Sequence, residues 1–406
     1  MTAVPARERY EALLIELHRE MRAGRGEAPC SEELRDEMAA LWYGLSDDDA
    51  ALFDELSEDL YIIEGKRAAM PFAEGETAEA VLQRLSVVFM AGESRQALAL
   101  SRKLPSIDDA RTAFVIARCW ERLGFPRAAV SFYDFANELE PKAVYEVAAL
   151  EALARAGALD EAAQRAEVIE KRPIVSGPLL LGVASVLHRA AANAEKLKQP
   201  SIHQRIVNMV EAAWDDRTAL PSVRAMGLVV AGFSYQDLGK SELAFRSFER
   251  AVAVHPSEAS LLARGLALLH VDRAKALRDF TEAVKLGTKF DWPYLYAVQN
   301  ALEARRFAEA ERFCEMGVVF AKRAEVRGRL FEWWAIAAAE LGRTAAEVTA
   351  LFDLAMAELP LDLVIRRNVR RYRKFLEIER ALAVSDWELI PEVDEAKAWA
   401  SLGRAA

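Results

Sequence analysis

The chain has 406 residues, 52% hydrophobic and 29% charged, values of a globular protein that exclude a disordered polyelectrolyte. That length exceeds what one ordinary core fills and suits two or three domains or an array of repeats. The net charge of −10 gives no reason to expect nucleic acid, and without a run of about 18 apolar residues no membrane span is expected.

The charge is unevenly placed. Residues 1–70 hold 8 basic and 17 acidic residues, a net of −9, while the other 336 hold 45 and 46. Cys30, Cys119 and Cys314 are far apart, no pair has metal-ligand spacing, and an odd count argues against a disulfide framework. The expected compartment is a reducing cytoplasm, because the opening MTAVPARERYEALLIEL lacks the apolar core of a signal peptide. Arg outnumbers Lys about three to one and Ala is abundant, which fits a GC-rich bacterial genome.

Residues 6–23 place Tyr10, Leu13, Leu14, Leu17 and Met21 at helical spacing. A second helix begins near Ser31 and carries Leu34, Met38, Leu41 and Trp42. Ser46 followed by Asp47, Asp48 and Asp49 reads as an N-cap with acids in the first turn, ahead of Leu52, Phe53, Leu56 and Leu60. A calcium loop is excluded there, since the sixth position, counted from Asp47, is Leu52 and not the Gly that the sharp turn requires. Residues 64–76 read as a connector.

From Thr77 a period emerges. Ala91-Gly92, Leu123-Gly124, Ala156-Gly157, Leu238-Gly239 and Leu341-Gly342 each separate two helical patterns, and the first steps are 32 and 33 residues. The stretch from Ala225 to Pro256 is the clearest copy. Gly232 and Tyr235 face Ala244, Phe248 and Ala251, a large-against-small pattern suited to an antiparallel helix pair. Ala117, Trp120, Ala129, Tyr133, Ala136 and Pro141 fill the same slots in 110–141. Ala276, Phe280 and Ala283 do so in 257–288, and Ala310, Cys314 and Gly317 in 291–322. In 328–360 the residues are Phe352, Ala355 and Pro360, with Trp334 on the first helix.

This register resembles the tetratricopeptide repeat, whose pattern is W-x2-L-G-x2-Y, then A-x3-F, then P. Gly232, Tyr235, Ala244, Phe248 and Pro256 match it, while Leu228 and Ala231 stand where the family has Trp and Leu. About seven units between residues 78 and 360 carry the resemblance. It implies an all-α fold: a right-handed superhelical solenoid of antiparallel helix pairs, preceded by an N-terminal helical segment. The expected organisation is an acidic helical segment (1–70), the repeat array (77–360), and a capping helix with an acidic tail (361–406).

The resemblance also implies a concave groove lined by the first helix of each pair. By position the groove residues are Arg111, Phe114, Arg118 and Arg122, then Val144, Val147 and Glu151. In later units they are Met226, Val229, Phe233 and Gln236, then Trp292, Leu295 and Gln299. Members of the family that bind chaperone termini use Lys and Asn at set groove positions; Val229 and Phe233 stand there instead.

Residues 177–224 break the period, because the units on either side begin 49 residues apart. After Pro360 a last helix carries an apolar stripe of Ile365, Val369, Tyr372 and Leu376. Arg366, Arg367, Arg370, Arg371, Arg373 and Lys374 cover its other faces, as a solenoid cap requires or as a cationic site would. The acidic segment 385–399, anchored by Trp387 and Trp399, is expected to fold back over that basic helix.

Nothing in the sequence points to chemistry. The five histidines never pair at metal-binding spacing, and HExxH, GxxxxGK[ST], GxGxxG and GxSxG are all absent. Neither a cofactor nor a metal is expected. The reading is a non-catalytic scaffold or adaptor for a protein or peptide partner, with a homo-oligomer left open. Its rivals are a regulatory subunit gated by the acidic N-terminal helices and the basic last helix, and, with nothing to support it, an enzyme with a site in the groove.

Overall fold

A computed structural model of the chain describes residues 5–63, 65–66, 77–104, 106–191, 199–378, 387, 389 and 395–405. Among the described residues all regular structure is helical, in 21 helices. The chain divides into two units, Met1–Glu195 and Lys196–Ala406. The division falls inside 177–224, the stretch that breaks the period.

In the first unit α1 (Ala6–Arg22), α2 (Pro29–Trp42) and α3 (Asp47–Ile63) precede the hairpins. These are α4 (Ala78–Met90) with α5 (Ser94–Ser101), α6 (Ala110–Arg122) with α7 (Pro126–Leu139), and α8 (Ala143–Arg155) with α9 (Leu159–Glu170). The unit closes with α10 (Gly177–Ala191). The second unit opens with α11 (Gln199–Ala213). Its hairpins are α12 (Pro221–Asp237) with α13 (Ser241–Val254), α14 (Glu258–Leu268) with α15 (Arg273–Lys285), α16 (Trp292–Glu303) with α17 (Phe307–Phe320), and α18 (Ala324–Glu340) with α19 (Ala345–Glu358). Then come α20 (Leu363–Ile378) and α21 (Glu395–Ala405).

The turns explain the glycine period. Gly239 sits at φ +72° between α12 and α13, a left-handed conformation that stops the first helix and costs a residue with a Cβ about 1–2 kcal/mol. Gly92, Gly124, Gly157 and Gly342 take the same conformation in their turns. Between α16 and α17 no glycine is available, and Arg305 occupies the slot at φ 57°.

Inside the hairpins the small residues make room for rings. A Cβ on Gly232 would stand 2.2 Å from the Phe248 ring, so only glycine lets that ring lie against α12. Gly265 stands to Phe280 in the same way, at 2.5 Å. In α6–α7 the place is taken by Ala117, and Trp120, Tyr133 and Ala136 are fully buried. In α18 the tryptophan in the core is Trp333, fully buried, while Trp334 lies half-buried with its Nε1–H toward Glu311. The helix turns the neighbouring position, not that of Trp334, into the interior.

The acidic N-terminal segment is packed into the first unit through its acids. Asp59, fully buried, accepts two hydrogen bonds from Arg102 at 2.8 and 2.9 Å and one from Trp120 Nε1 at 3.2 Å. The Glu11 carboxylate accepts the Ala128 N–H at 2.9 Å, in the first turn of α7. Burial, partly opposed by the Ala128 N–H and Arg127, pushes the Glu11 carboxyl up to about 7. Arg7 donates to the Leu123 carbonyl and lies 4.4 Å over the Phe125 ring. At the start of α3, Ser46 Oγ accepts the Asp49 N–H at 3.1 Å, the cap expected there.

On α20 the stripe is not the one the sequence suggests. Ile365 and Tyr372 are buried and Val369 is half-buried, but Leu376 is exposed. Asn368 takes a place in the interior instead, donating to Glu332 at 2.8 Å, with Arg329 and Asp362 completing the network. Burial pushes the Glu332 carboxyl up to about 7, against the pull of Arg329 and Asn368.

Candidate partner-binding faces

The first helices of the first unit, α6, α8 and α10, share a charged face. Glu121 on α6 accepts Arg118 at 2.9 Å and the Tyr133 hydroxyl at 2.8 Å, and it pairs with Arg155 of the next hairpin. Arg155 also lies 3.6 Å from Glu151 on its own helix. Arg189 of α10 feels both the Glu151 and the Arg155 charges, and burial holds its guanidinium below the usual arginine range. Its Nε has no hydrogen-bond partner among the described residues. Three arginines from three consecutive first helices thus surround two carboxylates. The Tyr133 hydroxyl is pushed far up, by burial and by the Glu121 charge.

Of the groove residues expected in this unit, Arg118 and Glu151 join that cluster. Phe114 lies beside it, with its ring 5.4 Å from Tyr133 and 5.5 Å from Tyr145. Arg122 turns away, donating to the Phe89 carbonyl at 3.0 Å and covering the Phe89 ring at 4.3 Å. Arg111 and Val144 are exposed, and Val147 packs against α10 at Gly182. Arg155 and Arg189, absent from the sequence reading, belong to the cluster; only the stacking of consecutive first helices brings them to Glu121 and Glu151.

The second unit differs. Phe233, Trp292, Leu295 and Gln299 are buried, Val229 fully so, and Met226 and Gln236 are half-buried. Trp292 sets its ring edge-on to Phe280 at 5.4 Å, so it belongs to the hairpin interior. Phe233 faces the other way and meets α21, with its ring 5.8 Å from Trp399 and nearly perpendicular to it. Trp399 also stacks on Phe248 at 6.0 Å. The expectation that the tail folds over the basic helix is therefore corrected for Trp399. Phe248, whose ring packs against α12 at Gly232, offers Trp399 a flat apolar partner that the arginine-studded faces of α20 lack. Trp387 is anchored on α18 and α19, buried 6.3 Å from Phe352 and donating to Glu340 at 2.9 Å.

The basic residues of α20 serve several ends. Arg366 donates to the Pro360 carbonyl at 2.9 Å and Arg371 to Asn368 at 3.2 Å. Arg367, Arg370, Arg373 and Lys374 are exposed. On the second helices of the first unit a cleft of about 400 Å³ lies among α7, α8 and α9. Its charges are matched within its walls, Arg165 with Asp134 at 2.9 Å and Arg172 with Glu146 at 2.8 Å.

Among the described residues no cluster of His, Cys, Asp and Glu could hold a metal ion, and no helix is long and apolar enough to cross a membrane. Cys119 and Cys314 are buried in hairpin interiors, and burial pushes the Cys119 thiol up to about 11.

No family model matches the sequence, and no curated protein does. Solved structures with similar helical build include the C-terminal part of a TPR repeat-containing protein from Cytophaga hutchinsonii, at 14% identity, covering 71% of this chain and 98% of that one, with a TM-score of 0.35. Yeast Tom70 is 12% identical over 80% of this chain and 75% of its own, with a TM-score of 0.29. YrrB, described as a TPR protein with an unusual peptide-binding site, is 20% identical over 49% of this chain and 93% of its own, also at 0.29. By the pairing of its helices, the left-handed residue in most of its turns and the side chains that fill each pair, the chain is an all-helical repeat protein of tetratricopeptide-like build.

Proposed function

We propose that the chain is a non-catalytic scaffold that holds an acidic peptide or helix of a partner protein on the first-helix face of its first unit. The observation that carries this reading is the convergence of Arg118 and Arg155, from α6 and α8, on Glu121, with Arg189 of α10 close enough to feel the Glu151 and Arg155 charges. Arginine presents a planar fork that suits carboxylates, and a half-buried one is only partly screened by solvent. The Phe114 ring beside the cluster adds an apolar wall.

The acidic N-terminal segment has less support as a free regulatory arm. Its Glu11 and Asp59 are committed to α7 and Arg102.

The test is affinity capture with the full-length chain and its Arg118→Glu variant, read by mass spectrometry at low salt. At least one protein retained by the wild type is expected to be lost from the variant, and its affinity to fall about ten-fold or more in a purified titration. An identical retained set for the two chains would overturn the proposal. Capture of that partner should also weaken as salt is raised, because most of the cluster is in contact with solvent.

A further inference from the structure

We infer that the first-helix face of the second unit is a seat for an amphipathic helix, and that α21 fills it in cis in competition with a partner helix of the same chemistry. That chemistry is an aromatic residue with leucine three positions later and an acidic residue four positions earlier, as Trp399, Leu402 and Glu395 are spaced.

The path of the tail carries the argument. Trp387 is anchored to Glu340 on α18, and Leu389 lies against the core built from α16 to α19. Glu395 meets His270 Nε2 at 2.8 Å, just past the end of α14. Its charge also reaches Tyr296 on α16, whose hydroxyl is pushed up to about 12, mostly by burial. Trp399 then reaches Phe233 of α12 and Phe248 of α13. The described anchors of the tail therefore fall on successive hairpins in reverse order, as those of an added ligand would.

The seated helix is amphipathic. Ala398 and Leu402 are buried, while Ala396, Lys397 and Ala400 are exposed. It is also lightly held. At 11 residues it is shorter than helices that persist alone in water, and Trp399 stays only half-buried. The rings that fill the hairpin interiors, Trp120, Tyr133, Phe280 and Trp333, are by contrast fully buried. A segment bound through one tryptophan, one leucine and one exposed hydrogen bond can be replaced by a longer helix that repeats those anchors. This inference concerns the second unit and needs no acidic partner on the first.

The test titrates a fluorescein-labelled synthetic peptide of residues 391–406 against the full-length chain and full-length Trp399→Ala/Leu402→Ala, read by anisotropy. Seven residues join Trp387 to Glu395, and a short tether holds its helix at an effective concentration on the order of millimolar. The vacated variant is therefore expected to bind the peptide about ten-fold or more tightly than the wild type. Adding Phe233→Ala to the variant, or Trp399→Ala to the peptide, is expected to abolish that gain. The inference is overturned if wild type and vacated variant bind alike, if Phe233→Ala changes nothing, or if a vacated variant with wild-type ellipticity and melting binds no peptide. Should the double variant fail that folding check, Trp399→Ala alone is judged by the same outcomes. Loss of the Arg118-dependent partner would leave this result untouched, so the two proposals fail separately.

Discussion

Six residues before the turn, α6 and α8 of the first unit and α12 of the second carry opposite kinds of side chain. In the first unit the slot holds Arg118 before Gly124 and Glu151 before Gly157; in the second it holds Phe233 before Gly239. The charged slots are half-buried among neighbouring first helices and need no cover, because each charge keeps water or an opposite charge. The phenylalanine slot is covered by α21, and uncovering its ring and that of Phe248 would return apolar surface to water at about 25 cal/mol per Å². One hairpin geometry thus yields a face that stands open or a face that demands an occupant, and a single position in the repeat decides which.

The sharpest way to break this comparison is to strike the ring that serves the covered face. Phe248→Ala is expected to cost about 3–5 kcal/mol, read as a lower denaturant midpoint for the second unit, while Arg118→Ala should stay within about 0.5 kcal/mol. Equal losses would mean that the charged face carries as much of the fold as the apolar one.

A smaller effect separates the buried acids from the open charged face. The folded carboxyl of Glu11 titrates near 7, above its unfolded value of 4.5, so ionising it is disfavoured in the folded state. Its contribution to stability is complete below the unfolded value and is lost as pH rises to about 7, a change of about 3 kcal/mol. Glu11→Gln should therefore flatten the first unit's stability between pH 5 and 8, measured by denaturant melts. It should leave the second unit's slope, which Glu332 sets with a carboxyl also near 7, as it was.

The smallest effect compares turns. Gly239→Ala should destabilise by about 1–2 kcal/mol, because alanine is strained at φ +72°. Arg305→Gly should stabilise by up to about 1 kcal/mol, the relief of strain being partly offset by the greater freedom of glycine in the unfolded chain. No gain from Arg305→Gly would show that the side chain repays the strain through its own contacts.

The hairpins were legible because their determinants are local. Gly239 announces a turn, and the Gly232–Phe248 pair announces a close approach, within 32 residues of chain. Position-by-position transfer reached Arg118 and Phe233 for the same reason. It did not reach Gly265 and Phe280 as a matched pair, because the shortened first helix shifts the spacing. Arg155 and Arg189 escaped it because their partners Glu121 and Glu151 lie on neighbouring turns and helices, and long-range electrostatics leaves no periodic mark. The N-terminal acids show in the sequence only as a net charge of −9; that Asp59 is satisfied by Arg102, 43 positions away, leaves no mark there. The seat of Trp399 was hidden for another reason: the sequence shows a tryptophan but not which ring 151 residues earlier is left uncovered.

The missing side chain at Gly232 has one more consequence. It leaves the Phe248 ring shared between the interior of α12–α13 and the helix seated outside. Occupancy of that seat and the melting of that hairpin are therefore thermodynamically linked, since whatever binds only the folded hairpin raises its unfolding temperature. Cognate helices for the second unit can accordingly be ranked by thermal shift without a label, each raising the melting temperature in step with its affinity.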